Sequence, residues 1–219
     1  MNLSDVTEVP EKVRDVLANE VKELRPIQEK AIKQGLLDGK SLLICTPTAS
    51  GKTLVGELAF TKAIIERRGK AVYIVPLKAL ASEKFRSFKE RYGRLFRIAL
   101  SIGDMDSNDS YLNDYDLIIT TSEKLDSLTR HHAPWVKSIA VVVVDEVHLL
   151  NDPGRGPTLE IILTILKELI PKSQFIALSA TIGNPEALAG WLGAGLIIDD
   201  WRPVQLKKGI CVNGEIEFY

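Results

Sequence analysis

Ser41-Leu42-Leu43-Ile44-Cys45-Thr46-Pro47-Thr48-Ala49-Ser50-Gly51-Lys52-Thr53 decides how this chain is read. A short apolar run gives way to a loop of small residues, and Gly-Lys-Thr then opens a helical pattern. Strand, small-residue loop and Gly-Lys-Thr, in that order, form the context of a phosphate-binding P-loop. Loop N–H groups and the orphan donors of a helix N-terminus point at phosphates. Gly51 lets the backbone approach closely. Lys52 places a point charge on the outer phosphates, and the Thr53 hydroxyl suits a Mg²⁺ ion. The reading assigns Thr46, Pro47, Thr48, Ala49, Ser50, Gly51, Lys52 and Thr53 to nucleotide binding, with ATP and Mg²⁺ as the ligands. The usual pattern begins with Gly where this chain has Thr46, so a strict pattern search passes it by.

Outward from this stretch, short apolar runs alternate with helical patterns. The runs are Ser41–Cys45, Ala71–Val75, Arg97–Leu100, Leu117–Thr120, Ala140–Val144 and Phe175–Leu178. They are near-continuous rather than alternating, as in strands buried on both faces of a parallel sheet. Between them, Pro157 to Ile170 carries Leu159, Ile162, Leu163, Leu166 and Leu169 at helical spacing, with Pro157 suited to a first turn and Pro171 to a stop. The expected fold is α/β: a doubly wound, mainly parallel sheet with helices on both faces. Pro10–Glu20 and Pro26–Leu37 read as helices that precede the first strand. After Trp201 the pattern turns all-β. Pro203–Lys207 is extended, Ile210 and Val212 alternate with polar neighbours, Asn213-Gly214 supplies a tight turn, and Ile216 and Phe218 alternate again. The expected organisation is one domain over residues 1–200, its first 38 residues helical. A hairpin linker over 201–219 breaks off at Tyr219 inside an apolar strand pattern, as a piece cut from a longer chain would.

Val141-Val142-Val143-Val144-Asp145-Glu146-Val147-His148 is a buried strand running into two adjacent carboxylates. Charges there are costly unless they meet a cation, and ligands of doubly wound sheets bind at the carboxyl ends of strands. Asp145 can hold Mg²⁺, and Glu146 can orient and deprotonate an attacking water. Asp145, Glu146 and Lys52 are therefore the catalytic candidates. His131 and His132 read as solvated loop residues rather than metal ligands.

Composition bounds the rest. The 219 residues suffice for one large α/β domain. Lys plus Arg number 28 and Asp plus Glu 29, so no overall basic charge advertises nucleic acid and any such claim rests on local features. The run Ile139–Val144 is far too short to span a bilayer. The start, Met1-Asn2-Leu3-Ser4-Asp5, lacks the basic and apolar regions of a signal peptide. Cys45 and Cys211 make neither a disulfide framework nor a metal spacing, as expected of reduced thiols in a cytoplasmic protein.

Further stretches carry a resemblance. Asp145-Glu146-Val147-His148 is similar to a DExH box, and Ser179-Ala180-Thr181 to the Ser-Ala-Thr motif of helicases. Leu24-Arg25-Pro26-Ile27-Gln28 resembles the Q motif that reads adenine. Val75-Pro76-Leu77-Lys78-Ala79-Leu80-Ala81 and Thr120-Thr121-Ser122-Glu123-Lys124-Leu125 resemble two nucleic-acid motifs of superfamily 2 helicases. Leu77 to Lys84, Arg155-Gly156-Pro157-Thr158-Leu159-Glu160 and Ser179 to Pro185 resemble the Ski-like branch, within it the archaeal Hjm helicases that act on stalled replication forks. The resemblance covers essentially the whole chain and implies a RecA-like P-loop NTPase domain, the first motor domain of an ATP-dependent 3′-to-5′ DNA helicase. The family's second RecA-like domain, which resembles the source of its arginine fingers, has no counterpart here. Arg155 is the nearest candidate and reads as structural.

Carried over, Gln28 bonds the adenine edge, while His148, Ser179 and Thr181 link the nucleotide site to a nucleic-acid face. No aromatic residue lies between Met1 and Gln28 to stack on the base. The nucleic-acid candidates Pro76, Lys78 and Ala79, and Thr121, Ser122 and Lys124, sit where strands give way to helix N-termini, with Gly103-Asp104 after another strand end. Ser122 before Glu123 also suits a helix cap. The basic stretch Lys84 to Arg97 fits either the same face or a solvated helix. The partner is single-stranded or forked DNA. RNA stays open, because only a contact to the 2′-hydroxyl separates the two. A nucleotide-gated binding module without unwinding is a further alternative, and Glu146 argues against it.

Overall fold

A computed structural model describes residues 1–103, 109–204, 209–212 and 215–218. Asp104, part of the extended stretch after Pro203, the Asn213-Gly214 turn and Tyr219 lie outside them.

Seven strands form one sheet: β1 Leu42–Cys45, β2 Lys70–Val75, β3 Ile98–Ser101, β4 Leu117–Thr121, β5 Ile139–Val144, β6 Gln174–Ser179 and β7 Gly195–Ile198. Their order is β3-β4-β2-β5-β6-β1-β7, and every pairing is parallel. Six of the seven match runs read from the sequence. β7 was not expected; it adds an edge strand beyond β1. β8 (Gly209–Val212) and β9 (Glu215–Phe218) pair antiparallel with Cys211 opposite Ile216, as the alternation predicts.

Each central strand buries side chains on both faces, which is why its sequence is apolar throughout. Ile44, Tyr73, Val143 and Leu178 face one layer, made by α1 (Glu11–Leu17), α2 (Pro26–Lys33), α3 (Lys52–Ile65) and α4 (Lys78–Tyr92). Their neighbours Leu43, Ile74, Val144 and Ala177 face the other, made by α5 (Ser122–Arg130), α6 (Gly156–Leu169) and α7 (Pro185–Leu192). This is the doubly wound architecture of a RecA-like domain.

Two details of the first layer position the site. Gly56 lets α3 press on β5, since a Cβ there would stand 2.9 Å from Val143 Cγ1. The Glu57 carboxylate, buried on α3, accepts hydrogen bonds from Arg91 (2.6 Å) and the Tyr92 hydroxyl (2.5 Å) on α4, and Arg91 also pairs with Glu20. Helices α3 and α4 are thus held together by packing and by a buried charge. Among the described residues, no helix is long and apolar enough to cross a membrane.

Candidate nucleotide site and nucleic-acid face

Because the strands run one way, their C-terminal ends share one edge of the sheet. The order then divides that edge. β5, β6 and β1 bring Asp145, Ser179 and Thr46 side by side, and β3, β4 and β2 bring Gly103, Thr121 and Pro76 together beside them.

The loop from β1 to α3 turns through two left-handed residues, Ala49 (φ 66°) and Gly51 (φ 96°). Its first residue is anchored by the N–H of Thr46, which donates to the Ser179 carbonyl at 3.2 Å. Gln28, 3% exposed, latches the far end: its Nε2 donates to the Gly51 carbonyl at 2.9 Å and its Oε1 accepts from the Arg25 N–H at 2.8 Å. One amide hydrogen and one lone pair of Gln28 remain for a base edge. The Arg25 guanidinium donates to the Ala49 carbonyl and lies 5.6 Å from the Trp201 ring. Trp201 is held by its backbone N–H to Asp199, which pairs with Lys30. Sequence reading found no aromatic upstream of Gln28. The fold brings Trp201, from the other end of the chain, against Arg25.

Thr46 Oγ1 and Ser50 Oγ are buried with no hydrogen-bond partner among the described residues. Orphaned hydroxyls are rare in proteins, and two in one loop suit a polyanion bound against it. The donor set of a P-loop therefore fits a nucleotide triphosphate.

At the end of β5 the two carboxylates part. Asp145 is buried; its N–H donates to Ile74 at 2.8 Å, and Oδ2 accepts from the Tyr73 hydroxyl at 2.8 Å. Burial and the Asp145 charge hold the Tyr73 phenol far above its ordinary pKa, so it remains a donor. The Lys84 ammonium reaches from α4 to within 3.5 Å of Asp145 Oδ2 and 3.2 Å of Thr53 Oγ1. Glu146 adopts a left-handed conformation (φ 55°), uncommon without glycine. Its carboxylate meets the Lys52 ammonium, 3.4 Å from both oxygens. His148 Nδ1 accepts from the Ala180 N–H at 3.3 Å and stands 3.3 Å from Glu146 Oε2, so the imidazole lies between the carboxylate and the Ser-Ala-Thr stretch. Ser179 is buried and Thr181 exposed. Asp145 and Thr53 offer oxygen ligands across one space, as a hard divalent cation requires. Tyr73 and Lys84 belong to this cluster and were not singled out for it. Tyr73 sat unmarked in an apolar strand, and Lys84 was one cation in a basic run.

The second half of the edge is unevenly exposed. Pro76, Leu77, Lys78 and Ala79 lead into α4 and are accessible, Leu77 at 41%. Among the described residues, nothing stands within 4 Å of where a Cβ on Gly103 (φ 101°) would lie. Thr121, Ser122 and Lys124 are instead buried. Thr121, not Ser122, caps α5, its hydroxyl accepting from the Lys124 N–H. The Lys124 ammonium, 2% exposed, pairs with Asp109 at 3.0 Å, so it offers no free charge to a phosphate. The basic stretch also divides. Lys84 enters the carboxylate cluster and Arg91 meets Glu57, while Arg86 and Arg94 face solvent. His131 and His132 are exposed, as expected. Arg155 stands at the start of α6, its N–H bonded to Asp152.

Comparison with known proteins follows the same motifs. The ATP-dependent DNA helicase Hel308 of Methanocaldococcus jannaschii is 56% identical over 216 residues, 95% of this chain and 18% of that protein. Hel308 of Pyrococcus abyssi is 51% identical, over 94% of this chain and 28% of its own length. The chain thus spans less than a third of these relatives. Among solved structures, the helicase MrfA bound to DNA superposes with a TM-score of 0.76 at 26% identity, over 89% of this chain and 30% of its own. Residues 25–188, from the arginine before Gln28 to the helix after Ser179, match the DEAD/DEAH box helicase family. The chain belongs to that family.

Proposed function

We propose that this chain is the first motor domain of an ATP-dependent DNA helicase of fork repair, working in the cytoplasm with a second RecA-like domain. The observation that carries the proposal is the meeting of three features at the ends of β1 and β5: the loop with two orphaned hydroxyls, Thr53 facing Asp145 across Lys84, and Glu146 against Lys52. The names of the relatives and the DNA in the solved neighbour support DNA over RNA.

In this reading the N–H groups of Thr48, Ala49 and Gly51 and those of the first turn of α3 meet the phosphates, and Lys52 leaves Glu146 to join them. Thr53 and Asp145 would hold Mg²⁺, which would supply positive charge against the phosphates. Glu146, released from its ion pair, accepts a proton from the attacking water on a carboxylate oxygen. His148 Nδ1 accepts from the Ala180 N–H beside Glu146 Oε2, so a proton taken up by this imidazole would exchange the Ala180 contact for one to Glu146. Gln28 reads the base edge with the amide positions left free. The strand-polarity expectation, 3′ to 5′, rests on the resemblance alone. DNA contacts fall to the accessible residues Pro76, Lys78, Ala79 and Gly103, through backbone donors more than charge.

Steady-state phosphate release from the purified chain, with and without single-stranded DNA, tests the proposal. The chain should bind a fluorescent ATP analogue with Mg²⁺ yet turn over negligibly. An arginine finger from a partner domain contributes roughly 10³–10⁵ in rate in comparable phosphoryl transfer, and no described ion pair brings an arginine of this chain to Asp145 or Glu146. Robust DNA-stimulated turnover would show that the chain completes its own site.

A further inference from the structure

Lys84 has no part in the reading above, yet its ammonium stands between the two groups assigned to the metal. It lies 3.2 Å from Thr53 Oγ1 and 3.5 Å from Asp145 Oδ2. A buried carboxylate requires a compensating positive charge, and Lys84 is the cation paired with Asp145 among the described residues. Asp145 is fixed from two further sides, by the Tyr73 hydroxyl and by its own N–H to Ile74. Thr53 is fixed by the first turn of α3. The mobile member is therefore the lysine, a compact charge on a flexible four-carbon stem that rises from α4 past the Tyr73 ring, 5.9 Å away.

We propose that Lys84 is a placeholder cation, which keeps Thr53 and Asp145 together in the nucleotide-free chain and must withdraw when a divalent ion takes its place. The inference rests on the nucleotide-site reading and adds to it an order of events. One ammonium satisfies one carboxylate, so the empty site has little remaining attraction for a divalent ion. Phosphates bring the additional negative charge that makes exchange of ammonium for metal favourable. The withdrawn ammonium swings toward α4, the helix whose first residues, Lys78 and Ala79, lead the accessible side of the strand edge.

The test is the affinity of a fluorescent ADP analogue for the intact chain, in EDTA and in saturating Mg²⁺. Their ratio measures coupling between nucleotide and metal. Lys84→Met keeps the stem and removes the competing charge, so the ratio should rise roughly tenfold, within the usual range for coupled sites. Binding in EDTA should weaken, because Asp145 is left uncompensated, and stay measurable, which reports that the loop is folded. Lys84→Gln, with a donor for Thr53 but no charge, should give the same rise, and Lys84→Arg should leave the ratio close to its original value. A ratio that is unchanged or falls in Lys84→Met and Lys84→Gln, with binding in EDTA measurable, overturns this inference alone. It would mean that Lys84 is structural or assists the bound metal. No binding by the unsubstituted chain in either condition overturns the nucleotide-site reading, and the inference with it.

Discussion

Lys52→Ala removes the one charge that the P-loop carries into its site. The structure permits two accounts of what is then lost. In the first, Lys52 holds phosphate oxygens, and a charge-assisted hydrogen bond of this kind is worth about 1.5–3 kcal/mol. Loss near the upper end weakens binding roughly 150-fold, at about 1.4 kcal/mol per tenfold change. In the second, Lys52 matters because it neutralises Glu146, which would otherwise repel the nucleotide. Glu146 is 30% exposed, so water screens it. Two unit charges at ~4 Å in such surroundings interact by on the order of 1 kcal/mol, which is less than tenfold. The direct contact should therefore dominate. Lys52→Ala should weaken a fluorescent ATP analogue by about two orders of magnitude, and Lys52→Ala/Glu146→Gln should recover only a small part of it. Equilibrium titration of the three chains decides the matter. Affinity unchanged in Lys52→Ala refutes the P-loop assignment, and full recovery in the double variant refutes the order of magnitudes.

Glu146→Gln should preserve ATP binding and block hydrolysis once the chain is joined to its second motor domain; normal turnover there would place the activating base elsewhere. Burial and the neighbouring Glu57 charge hold the Tyr92 phenol far above its ordinary range. The unfolded chain ionises this tyrosine near about pH 10 while the folded chain keeps its proton, so the folded state binds more protons and stability falls as pH rises beyond that point. Urea midpoints between pH 9 and 11 should show this fall, at most about 1.4 kcal/mol per pH unit from this residue, and Tyr92→Phe should reduce the slope by that share while Tyr73 keeps its own; equal slopes would exclude Tyr92 as a cause. Cys45 is buried, its thiol pushed up by burial, while Cys211 is exposed. A thiol reagent should label one cysteine in the native chain and the second only on unfolding, and two rapid labels would contradict the burial of Cys45.

The elements legible in sequence were those whose physics is local or doubly enforced. β1, β2, β4, β5 and β6 are covered on both faces, and their apolar runs say so. The P-loop and the carboxylate pair are contiguous. β7 escaped because an edge strand needs fewer buried residues: Gly195 is exposed, Ile198 is 45% exposed, and only Ile197 is fully covered. The helix expected over Pro26–Leu37 ends at Lys33, where Gly35 (φ 94°) turns the chain. Lys124 misled because its type signals the surface, and its partner Asp109 is distant enough to be invisible in a local pattern. Lys84 and Arg91 stand seven residues apart on α4, two turns on one face, and both point inward. That spacing was a usable signal. Charge alone suggested a uniform basic surface, whereas period separates these two from Arg86 and Arg94.

The distance from the carboxylate pair to the start of α4 is set by the sheet. β2 and β5 are neighbours, so the strand that ends at Asp145 lies one strand spacing, about 4.8 Å, from the strand that leads to Pro76. Across that gap Tyr73 already bonds Asp145, and three residues beyond Tyr73 the chain leaves the sheet for the first turn of α4. Lys84 returns from the same helix to the same carboxylate. A change in charge at Asp145 therefore acts directly on both ends of the segment from β2 into α4, with no relay through the core. On the opposite side, His148 and Ser179 give Glu146 and the P-loop a second short contact, through Ala180 and Thr46. The two contacts flank the carboxylate pair. A parallel sheet with this strand order sets the carboxylate pair between two short contacts, and each reaches a chain segment that the sequence marks as a motif.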